Sequence, residues 1–292
     1  MSADTLNALL KISLVIFMAG NLLDMGLRLK LGTALVGLRN VRFVSFSLLW
    51  CFVLGPAVAY GLTRLIPLEA PYAMGLILIG MAPCAPFLPM VVDRARGDLG
   101  YTASFMLLAS VGMVVYMPVA VPLLVEGLSV SAWVVAKPLL AVVLVPLVIG
   151  MVTLRRAPDF AARAQPVVKK ITGLVTIIML ALCLVVYGGA FIGSAGSYAT
   201  LAQLVFYAVV TAGSYALAFG LPQSQKSVLS LGVCTRNLGA AFAPLFAVAG
   251  TDERAIVMVA LGVPLQTIAA VVAARVFGAR AAGTGAPGQA RT

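Results

Sequence analysis

The chain has 292 residues, of which 62% are hydrophobic and 10% charged, with a net charge of +11 from twenty Lys and Arg against nine Asp and Glu. A soluble domain is about a quarter charged, so this composition cannot cover a water-facing surface. The basic excess lies between apolar runs rather than on one face, which argues against a nucleic-acid partner.

Runs near the ~20 apolar residues needed to cross lipid predict nine spans, over residues 6–28, 43–64, 71–92, 101–125, 131–154, 171–193, 200–221, 226–249 and 255–277. The opening MSADTLNALLK lacks the basic region of a cleaved signal, so the first run is expected to persist as a helix. With the N-terminus outside, fifteen basic residues fall in cytoplasmic connections and two, Arg64 and Arg254, in external ones. That split satisfies the positive-inside rule and places the C-terminus in the cytoplasm of a multi-pass cell-membrane protein. Asp4, Glu69, Glu126, Asp252 and Glu253 fall on the external side, and Lys11 and Lys137 lie near external helix ends, within snorkelling reach of the headgroups.

Spans one to four and six to nine run in opposite senses about span five, which permits an inverted repeat. The reading is a single transmembrane domain over 1–277, with halves at about 1–127 and 170–277, a connector at 128–169 and a disordered tail at 278–292. The basic stretch RRAPDFAARAQPVVKK (155–170) reads as a solvated linker.

The third member of each half is unusual. LILIGMAPCAPFLPMVV (76–92) holds three prolines, and SVLSLGVCTRNLGAAFAP (227–244) holds Gly232, Gly239, an Arg-Asn pair and Pro244. Such residues break the helical ladder, and freed backbone groups at membrane depth are tolerated only against protein or a watery cavity. Two broken helices in matched positions predict a transport site.

Arg236 falls near the middle of span eight, where a charge costs at least about 2.5–3.5 kcal/mol. One reading has it held by backbone carbonyls or by Asp24. The other makes it a positive seat for an anion, aided by half-helix N-termini. Thr235 and Asn237 flank it, and Asn21 and Asp24 of span one are further polar candidates. Asp24 also reads as a solvated partner of Arg28, and Asp93 and Asp98 as interfacial partners of cytoplasmic arginines. His is absent, and Cys51, Cys84, Cys183 and Cys234 show no disulfide or zinc spacing, so no metal site and no cofactor are expected.

MAPCAPFLPMVVDRARGDLGYTASFML, YMPVAVPLL, MGLRLKLG and SLGVCTRNLGAAFA together resemble the bile acid:sodium symporter family. The resemblance implies an all-α membrane protein in which a core with two crossing discontinuous helices packs against a panel. It also implies secondary transport of a small or amphipathic organic anion. Family sodium ligands carried over by position fall on Leu88, Pro89, Thr102, Met106, Gly232 and Arg236, with Asn237 retained. Nearly all the oxygen ligands are gone, so coupling to sodium at these positions is not expected. The substrate is expected near the midplane between spans three and eight, with Arg236 as its charge partner and Asn237, Thr235, Pro89, Cys84 and Asn21 around it.

Arsenite permeases of the same superfamily place a Cys in an APC-like setting, as Cys84 stands in MAPCAP, although Gly239 stands near the place of their Glu. A non-transporting sensor of the same fold is a further reading. An intramembrane enzyme finds no nucleophile with a base. Membrane lipid is an expected partner, and the oligomeric state is not read from the sequence.

Overall fold

The computed structural model describes residues 3–125, 131–248 and 250–283. All regular elements among them are helical. In chain order they are α1 (Ala3–Gly26), α2 (Leu31–Gly37), α3 (Val41–Leu49), α4 (Gly55–Leu65), α5 (Ala70–Met81), α6 (Leu88–Arg94), α7 (Leu99–Leu124) and α8 (Ala132–Leu139). Then come α9 (Val145–Arg156), α10 (Pro158–Val186), α11 (Gly188–Gly193), α12 (Ala199–Ala216), α13 (Gln223–Cys234), α14 (Leu238–Ala247) and α15 (Glu253–Gly283).

Seven helices among the described residues are long and apolar enough to cross a membrane. Two of them are fused pairs, α3 with α4 and α8 with α9, joined by single π-helical turns at Trp50–Leu54 and Leu140–Leu144. In each case a proline, Pro56 or Pro146, follows two residues later. A proline ring clashes with the carbonyl four residues back, and widening the turn removes that clash without breaking the rod.

The two segments singled out for their Pro and Gly content are each broken in the middle, α5 from α6 at residues 82–87 and α13 from α14 at residues 235–237. Pro83 and Pro86 cannot donate to a helical ladder, which stops α5. At the second break no proline is present. There the side chain of Asn237 accepts from the Ala240 N–H at 3.2 Å and starts α14 as an N-cap.

The breaks meet each other. Pro83 and Arg236 form an isolated antiparallel bridge, in which the Cys84 N–H donates to the Thr235 carbonyl and the Asn237 N–H to the Ala82 carbonyl, both at 2.8 Å. Groups orphaned at four helix ends thus satisfy one another, as buried backbone must. Cys84 adopts φ 69° here, a left-handed conformation unusual for a residue with a side chain.

Around this crossing pack α4, α7, α12 and α15, while α1, α9 and α10 pack mainly on one another and reach the rest through α14, α11, α15 and the second π turn. This is a core beside a panel. Gly26 of α1 and Gly150 of α9 let two panel helices touch backbone to backbone, since a Cβ on Gly150 would lie 2.7 Å from the Leu23 carbonyl.

Two sequence expectations are corrected. The basic stretch 155–170, read as a linker, is helical from Pro158 onward as the start of the 29-residue α10. Its Pro stands at the first helical position, where the missing N–H costs nothing, and Asp159 suits the helix dipole there. The tail was expected to be disordered from 278, but α15 continues to Gly283. The rest of that tail (284–292) and the external Glu126 lie outside the described residues.

Ends assigned to one side by charge meet in space. Arg254 pairs with Glu69 and Asp252, joining the starts of α5 and α15. On the opposite side Arg42 donates to the Gly220 carbonyl at 3.3 Å, and the Asp98 N–H to that of Ser224 at 3.4 Å.

Candidate functional site

Arg236 is the largest side chain the core encloses completely, at 0% exposure. Its backbone N–H, freed by the break, donates to Oε1 of Gln266 on α15 at 2.6 Å. The side chain turns away from the bridge toward α5, where Nη1 donates to the Gly80 carbonyl at 3.1 Å. The guanidinium carbon stands 4.9 Å from the centre of the Phe206 ring on α12, within cation–π range. Gly55, just after the first π turn, closes the space, because a Cβ there would lie 3.1 Å from Nη2.

No carboxylate meets this charge among the described residues. Asp24, the acidic candidate from the sequence, is engaged elsewhere: it pairs with Arg28 and accepts from Nε2 of Gln165 at 2.6 Å. The reading in which Asp24 holds Arg236 is therefore wrong, and the reason is distance along the fold. Asp24 sits at the end of α1 in the panel, tied to α10, whereas Arg236 points into the core. Nε and Nη2 of Arg236 have no hydrogen-bond partner among the described residues. The thiols of Cys51, Cys84 and Cys234 and the Tyr207 hydroxyl lie within electrostatic reach of the guanidinium.

The other residues divide into three groups. Thr235, Asn237 and Cys84 belong to the crossing itself: the Thr235 hydroxyl accepts from the Ala85 N–H at 3.4 Å, and the Cys84 thiol faces the Ala85 carbonyl at 3.9 Å. Asn237 spends its carbonyl oxygen on the α14 cap and leaves Nδ2 without a partner among the described residues, at 3% exposure. It lies where core meets panel, since a Cβ on neighbouring Gly239 would lie 2.8 Å from Met18 of α1 and 3.3 Å from Oδ1 of Asn237. Asn21, one turn along α1 from Met18, bonds back to the Phe17 carbonyl at 2.7 Å and is not joined to Arg236.

The positions matched to sodium ligands form the third group. Leu88 and Met106 are buried apolar side chains, and Pro89 stands in the first turn of α6. Thr102 commits its hydroxyl to the Asp98 carbonyl at 2.8 Å. Gly232 is covered by the Phe105 ring, which any Cβ there would strike. The Phe105 ring thus fills the space into which a side chain at Gly232 would project.

Gln266, Phe206, Gly80 and Gly55 were not singled out in the sequence. Gln266 carried a usable signal, a lone amide inside the apolar run VALGVPLQTIAAVV, and it is 4% exposed. The others gave none, because a carbonyl, a ring face and a missing Cβ leave no mark of polarity.

The chain is similar to a rice (Oryza sativa subsp. japonica) protein described as a probable sodium/metabolite cotransporter BASS2, chloroplastic, with 26% identity over 161 residues. That stretch is 55% of this chain and 38% of the rice protein, so the chain spans well under half of this longer relative. The model of the Sodium Bile acid symporter family matches residues 14–194, more than half of the chain, and takes in the panel helices and the first broken helix. The segment bearing Arg236 lies beyond that match, and a match over more than half of its length shows that the chain belongs to the sodium bile acid symporter family.

Proposed function

We propose that this protein is a secondary transporter of a small or amphipathic organic anion, and that its transport does not draw on sodium at the family's usual positions. One observation supports this above all. A fully buried guanidinium stands behind the crossing with, among the described residues, no carboxylate to neutralise it and two nitrogens without hydrogen-bond partners.

A charge so placed creates a positive potential that water does not screen, and the N-terminus of α14 adds to it. The anion seat is the core–panel face beside Asn237, whose amide N–H group is unspent, with Thr235 behind it and Met18 and Asn21 of α1 opposite. The closed packing of Met18 on Gly239 makes rocking of the panel against the core the step that admits cargo.

Sodium would meet two obstacles here. Oxygen ligands are missing at Leu88, Pro89, Met106 and Gly232, and the positive potential of the buried Arg236 guanidinium opposes a second cation in the same core. The rice relative's description as a sodium/metabolite cotransporter supports transport of a metabolite. The residues of this chain support that part without the sodium. The protein is read as resident in the cell membrane with its C-terminus in the cytoplasm.

The test is uptake of labelled organic anions into proteoliposomes, with and without an inward sodium gradient. Saturable uptake that changes less than twofold with the gradient, and falls at least tenfold in Arg236→Gln, is expected. Steep sodium dependence, or parental rates in Arg236→Gln, would overturn the reading. Binding without flux in sealed vesicles would instead identify a sensor.

A further inference from the structure

A groove of about 570 Å³ runs along the outer face of the core between α12 and α15, away from the panel. Its walls are apolar, and small side chains, Ala208, Ala212, Ala269 and Ala273, hollow out its floor. At one end Tyr215 and Phe277 stack with ring centres 4.4 Å apart and planes at 7°, and the Arg280 guanidinium lies 5.2 Å from the Tyr215 ring centre.

Length and charge identify what fits. Along α12 the groove extends from Leu204 to Ala216, about 18 Å at 1.5 Å per residue. The hydrocarbon layer is about 30 Å thick, so one leaflet's acyl chain matches the groove. In α15, which runs from Glu253 to Gly283, the ~20 residues that fill hydrocarbon end about two turns before Arg280, and a helical side chain leans back toward the N-terminus of its helix, as Arg280 does over the Tyr215 ring. Its guanidinium therefore stands at headgroup depth at the mouth of an apolar slot.

We infer that the α12–α15 groove is a binding site for an anionic phospholipid, with one acyl chain along the alanine floor and its phosphate on Arg280. The same two helices hold Arg236, α12 through the Phe206 ring against its guanidinium and α15 through Gln266, which accepts from its backbone N–H. Tyr207, on the inner wall of the groove, lies within electrostatic reach of Arg236. A lipid in the slot thus braces the helices that fix Arg236.

The full chain is reconstituted into vesicles of equal phosphatidylglycerol and phosphatidylcholine, extracted gently, and its bound lipid read by native mass spectrometry. One phosphatidylglycerol per chain is expected, enriched about fivefold over phosphatidylcholine, the ratio supplied by one basic side chain near an anionic surface. Arg280→Gln should equalise the two lipids, and Ala212→Phe, which fills the slot from an exposed position, should remove the adduct. A thermal midpoint within a few degrees of the parent confirms that each variant is folded. Equal lipids on the parent, enrichment that survives Arg280→Gln, or an adduct that survives Ala212→Phe would overturn the site. A chain dimer abolished by Ala212→Phe without any lipid adduct would assign the groove to a second copy and overturn it equally.

Discussion

At the scale of single residues, Arg236 is accommodated by what surrounding residues lack. Gly55 has no side chain where the guanidinium passes, and Gly80 offers a carbonyl at the end of α5, where helical partners run out. Gly55→Ala tests this arrangement, because its new Cβ would sit 2.7 Å from the Trp50 carbonyl and 3.1 Å from Nη2. Neither neighbour can yield freely, one being backbone and the other a buried charge held by a hydrogen bond. A loss of about 1–3 kcal/mol is expected, read as a lower thermal midpoint in detergent. Gly61→Ala, on the same helix with open space around its Cβ position, should leave that midpoint unchanged or raise it.

At the scale of elements, Asn237 does two jobs that one substitution can separate. Its Oδ1 caps α14, while its Nδ2 is the donor offered toward the panel. Asp caps a helix as well as Asn does, so Asn237→Asp should keep the thermal midpoint at or above that of the parent. The same change replaces a donor with a negative charge at the proposed anion seat, and uptake should fall at least tenfold. Uptake at the parental rate would show Asn237 to be a cap alone. The breaks that create this site were legible because proline and glycine act locally: MAPCAPFLP stops a helix wherever it occurs. The π turns were not legible. Pro56 and Pro146 announce a disturbed helix, but Pro118 and Pro122 lie inside α7 without producing one. What differs is the room that packing leaves for the extra residue in the turn. The start of α10 was missed for a related reason. A run of charged residues looks like a loop by polarity, yet Ala, Lys, Arg and Gln all favour helix, and packing against α1 and α9 holds it in place.

For the whole molecule, the charge pattern predicted which ends lie together, and the contacts of Arg254 with Glu69 and of Arg42 with Gly220 agree with it. Charge could not predict which side chains face across the core–panel boundary, because apolar residues at that boundary look the same as those facing lipid. The structure places Met18 of α1 against Gly239 of α14 there, and transport by rocking requires this contact to open. A chain in which Cys51, Cys84, Cys183 and Cys234 are replaced by Ser or Ala, and Met18→Cys and Gly239→Cys are introduced, allows the boundary to be tied. The close approach lets the two thiols reach each other, and loss of the Met side chain makes room for the new Cβ. Oxidation should cut anion uptake into proteoliposomes at least tenfold and a reductant should restore it, while each single-cysteine chain stays indifferent to both treatments. If the cross-linked protein, identified by mass, transports at the rate of the reduced one, then the panel and the core do not part at this seam, and the anion must pass by another route.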